Sequence, residues 1–224
     1  MPVNTDEYLR IRNMLTSMDV TLVAVSKTKP ASDIEAMYAL GQRDFGENYV
    51  QELVEKQAIL PADIRWHFIG HLQRNKVKYI APFVHLIHGV DSLKLLQTID
   101  RQGAILGRKI GCLLQMHIAS EETKFGLDHH ELTDLLSDTG GGRGLAHASI
   151  QGLMGMASFS DDKELVRHEF RALKSTFDTV KTDFFNDDPS FATLSMGMSG
   201  DHAIAMEEGS NMVRIGSLLF GARG

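Results

Sequence analysis

Short apolar runs alternate with amphipathic stretches along almost the whole chain. Residues 5 to 18 place Leu9, Ile11, Met14, Leu15 and Met18 at roughly helical spacing, which predicts a leading helix over one end of the fold. The run Thr21-Leu-Val-Ala-Val-Ser-Lys27 is apolar and β-branched nearly throughout, the form of a parallel strand buried on both faces. Pro30 stops it, and Ile34, Met37, Tyr38 and Leu40 ahead of Gly41 predict a helix over 31–40. The cycle then repeats, with strands predicted at 44–46, 64–69, 84–88, 110–117, 149–154, 193–195 and 212–215, eight in all with the first. Helices fall between them near 48–59, 74–81, 92–106, 128–138, 161–182 and 200–208. This alternation predicts one α/β domain over 1–224, a (β/α)8 TIM barrel with an extra N-terminal helix. A doubly wound open sheet shares the alternation and is the alternative, because the pattern does not say whether the sheet closes.

Composition narrows the partners. The 224 residues are 43% hydrophobic and 23% charged, the usage of an ordinary globular domain. The net charge of −6 is spread without long like-charge blocks, and no Lys/Arg cluster is interleaved with aromatics, so nucleic acid is not an expected partner. With charges at Asp6, Glu7, Arg10 and Arg12 and no apolar core segment over 1–12, no signal sequence is expected, and no apolar stretch approaches a membrane span. Cys112 is the only cysteine and lies in the apolar run 110–116, the setting of a buried structural thiol in a reducing compartment. A cytoplasmic monomer without membrane contact is expected. Gly140-Gly-Gly-Arg-Gly144 lacks the strand-then-helix context of a phosphate cradle and reads as a surface loop.

Three places carry candidate chemistry. Lys27 ends the first strand, and the C-terminal ends of barrel strands face the active-site mouth. A lysine there either snorkels to solvent or, when desolvated, supplies the neutral amine that forms a Schiff base with an aldehyde. Leu194-Ser-Met-Gly-Met-Ser199 runs from the seventh strand toward a helix, where small residues and hydroxyls suit an anion, although Ser199 also reads as an N-cap. Met212-Val-Arg-Ile-Gly-Ser217 places Gly216 and Ser217 after the eighth strand, where barrels commonly hold phosphate. Arg214 lies inside that apolar strand, and burial there demands a partner.

These residues belong to a larger set of motifs: Ala24-Val-Ser-Lys-Thr-Lys-Pro30, Phe45-Gly-Glu-Asn-Tyr-Val-Gln-Glu52, Trp66-His-Phe-Ile-Gly70 with Leu72-Gln73 and Asn75-Lys76, Gly152-Leu-Met154, Ser195-Met-Gly-Met-Ser199 and Val213-Arg-Ile-Gly216. In this order, across nearly the whole chain, they closely resemble the pyridoxal phosphate homeostasis protein family, single-domain relatives of the alanine racemase barrel. The resemblance implies pyridoxal 5′-phosphate (PLP) as cofactor, held as an internal aldimine on Lys27. It places Asn48 near the ring, Ser195, Gly216 and Ser217 on the phosphate, and Arg214 opposite the pyridine nitrogen. A guanidinium keeps its proton, so the pyridine facing it stays unprotonated and is a weaker electron sink.

The resemblance further implies a PLP carrier serving vitamin B6 homeostasis, with no catalytic residue, no metal, and PLP-dependent apo-enzymes as recipients. No second domain is expected to supply a further acid or base after Gly224. The rival readings are a PLP-dependent amino-acid racemase using Tyr49, His67 or His71 as base, and a barrel that binds another phosphorylated metabolite without an imine. One departure stands out: His71 occupies the position where the family usually has proline, as a solvent-facing loop residue or one that reaches the cofactor. Thr123-Lys124-Phe-Gly126 matches another family segment, with Lys124 either solvated or a secondary PLP contact.

Overall fold

The structure, a computed structural model, describes residues 3–120 and 125–221; Thr123 and Lys124 lie outside the described residues. Eight parallel strands close in sequence order, β8 pairing back onto β1. They are β1 Thr21–Val25, β2 Asp44–Glu47, β3 Arg65–Phe68, β4 Leu86–Val90, β5 Ile110–Met116, β6 Ala148–Gly155, β7 Thr193–Ser195 and β8 Met212–Ile215. The closed sheet removes the open-sheet alternative.

The helices between strands are α2 Ala31–Ala39, α3 Val50–Ile59, α4 Val77–Ile80, α5 Leu93–Leu106, α6 His129–Asp138, α7 Lys163–Phe184 and α8 His202–Glu207, with a 3-10 turn over Arg74–Lys76 before α4. The leading helix α1, Thr5–Ser17, buries Tyr8, Ile11 and Leu15 and packs against β1 and a short last helix, α9, Ser217–Phe220. The apolar spacing of the sequence does not predict α9, because four residues are too few to show a period.

Strand alternation sends one set of side chains out under the helices and the other into the lumen. The outer layer holds most of the core, including Phe45, Trp66, Ile87, Leu114, Leu153, Val213 and Ile215. Each such aliphatic side chain contributes about 1.5–3 kcal/mol on burial. The lumen is smaller, with Val23, Leu86, Leu113, Met154 and Met212 as its apolar cluster. Cys112 is fully buried in β5, and burial pushes its thiol up, as expected of a structural cysteine. Gly140–Gly142 adopt positive φ in the turn after α6, a surface connection rather than a site.

Asp44 opens β2 on the lumen side and accepts from Arg65 and His67. Burial pushes its carboxyl up, but these hydrogen bonds and the guanidinium charge prevail and hold it at about 2. Its folded value lies below the unfolded one, so its stabilisation is present above the ordinary carboxylate range and is lost as pH falls toward 2. Asp44→Asn is expected to cost about 2 kcal/mol at neutral pH, and urea unfolding should show the gap narrowing by about half at pH 3. An equal gap at both pH values would rule out an ionised Asp44 as its source.

Candidate functional site

The strand register brings the predicted residues to one mouth. Val25 is level with Gly46, and Ala24 with Ile215, so Lys27, Asn48, Gly216 and Ser217 all follow within a few residues of adjacent strand ends. Gly216 packs against Val25, whose carbonyl oxygen would lie 3.3 Å from a Cβ placed there.

Lys27 is not the last strand residue but sits two positions beyond β1, half-buried in a turn. Thr28, next to it, has φ +63°, a left-handed conformation that a β-branched residue adopts only under constraint. The constraint is visible: the Thr28 amide donates to Glu52 Oε1 at 2.6 Å, and the Ser26 hydroxyl donates to Glu47 Oε1 at 2.6 Å. Lys56 ties these groups together, its Nζ donating to Ser26 O at 2.8 Å and to Glu47 Oε1 and Glu52 Oε1 at 2.7 Å each. Burial pushes the Glu47 carboxyl up against the opposing effect of Lys56. The sequence gives no sign that Lys56 is interior, since Glu52 and Lys56 are spaced like a surface pair on α3.

Asn48 follows β2, and its Oδ1 is buried without a hydrogen-bond partner among the described residues. Its backbone is approached so closely that a Cβ on Gly70 would lie 2.3 Å from the Asn48 carbonyl oxygen, which explains the glycine ending Trp66-His-Phe-Ile-Gly70. Beside Asn48 opens a cleft of about 480 Å³ that includes Tyr49, Gln73, Lys76 and Tyr79, so the Gln73 and Lys76 motif residues line the rim.

Arg214 is 4% exposed, and burial pulls its guanidinium down to about 10, leaving it charged at neutral pH. It donates to Ser195 O at 2.9 Å, Ser195 Oγ at 2.6 Å and Gly155 O at 3.0 Å, with no carboxylate paired to it among the described residues. Two of a guanidinium's five N–H groups are thereby left for a ligand. Ser195 is fully buried, with its hydroxyl between Arg214 and His88. The hydroxyl brought to the β8 turn is that of Ser199, which accepts from the Gly216 amide at 3.2 Å. Ser199 is not an N-cap: α8 starts at His202 after Asp201, whose carboxylate accepts from the Met198 amide. Gly197, at φ +94°, bends this loop, and a Cβ there would meet Ala205 at 2.6 Å. The amides of Ser199, Gly200 and Ser217 have no protein acceptor among the described residues. An orphaned amide oxygen, an unneutralised buried cation and a cluster of open donors fit a ligand with a polar ring and a phosphate.

Of the remaining candidates, Tyr49 and His71 line the cleft beside Asn48, and His67 lies in the barrel lumen. His67 is fully buried, with its ring nitrogens near Asp44 and His88. The Tyr49 side chain is largely exposed. His71 is partly exposed and lines the cleft beside Asn48, where it contacts Asp91 Oδ2 at 3.1 Å and stacks on Phe125 with ring centroids 4.2 Å apart. No helix among the described residues is long and apolar enough to cross a membrane.

Comparison with known proteins places the chain in a family. Residues 5–224 match the family "Alanine racemase, N-terminal domain". A pyridoxal phosphate homeostasis protein of Pasteurella multocida is 39% identical over 209 residues, covering 91% of this chain and 87% of that one. The solved structure of PipY from Synechococcus elongatus, with PLP bound, superposes with a TM-score of 0.87 at 34% identity, covering 96% of this chain and 99% of that one. An alanine racemase of Bartonella henselae shares the fold, with a TM-score of 0.71 at 16% identity, over 99% of this chain and 60% of its own.

Proposed function

Because the chain belongs to the alanine racemase N-terminal domain family and, within it, to the pyridoxal phosphate homeostasis proteins, we propose that it binds PLP at the C-terminal mouth of its barrel and serves intracellular PLP balance rather than turnover. The observation that carries this reading is the register of β8, β1 and β2, which brings Lys27, Asn48 and the Gly216–Ser217 turn to adjacent strand ends, with the Asn48 Oδ1 buried and unpartnered among the described residues. Bound PLP supplies a reactive aldehyde and an electron-withdrawing ring.

Lys27 would supply the amine for that aldehyde, its neighbours Ser26 and Thr28 being held by the Glu47–Lys56–Glu52 cluster. Asn48, with its unpartnered oxygen, would hold the ring, and Arg214, with donors left over, would face the ring nitrogen. Gly216, Ser217 and Ser199 would hold the phosphate, and Ser195 would support the site by anchoring Arg214. Residues 1–224 act as a single cofactor-binding domain, a cytoplasmic monomer that hands PLP to dependent apo-enzymes.

A racemase needs a base beside the substrate carbon, and His67, the buried candidate, has its ring nitrogens engaged within the lumen. Borohydride reduction of the PLP-loaded protein, followed by peptide mass mapping, is expected to place the adduct on Lys27. The absence of any adduct would overturn covalent binding in favour of another phosphorylated ligand. Sustained loss of the α-hydrogen signal of alanine or serine in deuterium oxide would overturn the carrier reading in favour of racemisation.

A further inference from the structure

Barrel lumens are ordinarily filled with layers of branched aliphatic side chains. Here a file of polar side chains runs beside the apolar cluster, linking β8, β7, β4, β3 and β2 in turn. Arg214 Nη1 donates to Ser195 Oγ at 2.6 Å, and that oxygen lies 3.3 Å from His88 Nδ1. His88 Nε2 lies 2.9 Å from His67 Nδ1, and His67 Nε2 lies 3.0 Å from Asp44 Oδ1. Ser195, His88 and His67 are all 0% exposed. The donor atoms of Asp44, His67 and His85 come within 4.8 Å of one another, but both Asp44 oxygens accept from Arg65, so the half-exposed Arg65 guanidinium closes this end.

The carboxylate end sets the direction of the bonds along the file. A guanidinium only donates, and an ionised carboxylate only accepts. Ser195 Oγ accepts from Arg214 and keeps a second lone pair, so the direction is set from the Asp44 end: with one proton on each ring, a His67 Nε2–H held by Asp44 leaves the Ser195 proton to point to His88 Nδ1. That nitrogen is then an acceptor, the His88 proton sits on Nε2 and points to His67 Nδ1, and the His67 proton sits on Nε2 and points to Asp44. Burial, with His67, Arg214 and His85 nearby, holds His88 well below the usual histidine range and keeps it uncharged. Turning over either neutral tautomer would set lone pair against lone pair, or N–H against a donor, where no water can compensate.

We infer that His67 and His88 are positioning residues for Arg214: through Ser195 they form a one-way hydrogen-bond file that fixes the guanidinium and stabilises its charge without taking up the donors it offers to the cofactor. Each link presents its lone pair toward Arg214 and its proton toward Asp44, so the dipoles add along the file. A carboxylate beside Arg214 would give the same stabilisation but would occupy the N–H groups that a ligand needs. Moving the counter-charge to the far end of the lumen, through two imidazole rings, avoids that competition. The cofactor-facing part of this inference rests on the proposed role of Arg214 in PLP binding.

The first test needs no cofactor. Nitrogen-15 NMR of the labelled wild-type protein, with ring signals assigned through His67→Asn and His88→Asn, is expected to show both rings neutral and protonated on Nε2 at neutral pH. An Nδ1–H tautomer or a doubly protonated ring at either position would overturn the file. The second test measures PLP affinity and bound-cofactor absorbance in wild type, His88→Leu and His88→Asn. Loss of the acceptor in His88→Leu should weaken PLP about tenfold and shift the absorbance band, whereas the Asn oxygen, standing near the place of Nδ1, should restore most of both. Equal affinity and spectra in three folded proteins would overturn the positioning role alone; a wild-type protein that takes up no PLP would overturn the functional reading beneath it.

Discussion

Lys27→Ala is expected to abolish the borohydride-stable PLP adduct while leaving the fold in place. The side chain lies in a turn beyond β1, half-buried and outside the strands, so circular dichroism of the variant should match that of the wild type. The groups that would receive the rest of the ligand are independent of it. Arg214 is held by Ser195 and Gly155, and Ser199 is bonded to the Gly216 amide. The variant should therefore keep weak, reversible PLP binding that inorganic phosphate displaces, and should lack the yellow species that survives dialysis. Absorbance, dialysis and peptide mapping on both proteins check this. Lys29 provides an internal control, because it lies two residues along the same turn. An adduct that persists in Lys27→Ala and maps to Lys29 would show that the site does not select its lysine by geometry.

Much of this was legible in the chain because it depends on local order. Parallel strands buried on both faces leave continuous apolar runs such as 110–116, and breakers such as Pro30 and Gly41 mark their ends, so the eight-strand alternation follows from the sequence. The mouth residues follow from the same order, because a barrel places every strand's C-terminal end on one face. What the sequence conceals is lateral. His67 and His88 are separated by 21 positions and meet only because β3 and β4 are neighbours in register, with both side chains turned inward. Ser199 read equally as a helix cap, and only the closure of β7 against β8 shows its hydroxyl turned to Gly216. Lys56 is the clearest case: its spacing from Glu52 describes a solvated helix pair, yet the bend after β1 places a carbonyl and a second carboxylate around its ammonium.

That enclosure makes Lys56→Met the substitution with the largest expected cost to stability. Lys56 is 6% exposed and Glu47 is fully buried, so the variant strips the cation from an interior carboxylate and leaves the Ser26 carbonyl without its donor. Breaking a buried pair from one side typically costs about 3 kcal/mol or more. The loss should depend on pH. Burial already raises Glu47 above the ordinary carboxylate value, and removing Lys56 raises it further. A carboxyl raised in the folded state is favourable to folding while protonated and loses that advantage as pH climbs through its folded value. Urea unfolding should accordingly show a large deficit at pH 7.5 that shrinks at pH 5.5. Glu47→Gln in the same chain should recover part of the deficit at pH 7.5 by replacing the stranded charge with a neutral amide. The cluster also holds Thr28 in its left-handed conformation through Glu52, so its loosening should slow adduct formation at Lys27 even where the variant is fully folded. Stopped-flow absorbance after mixing with PLP measures that rate. A Lys56→Met protein that unfolds early yet captures PLP at the wild-type rate would assign the cluster to stability alone, with Lys27 set by the strand end.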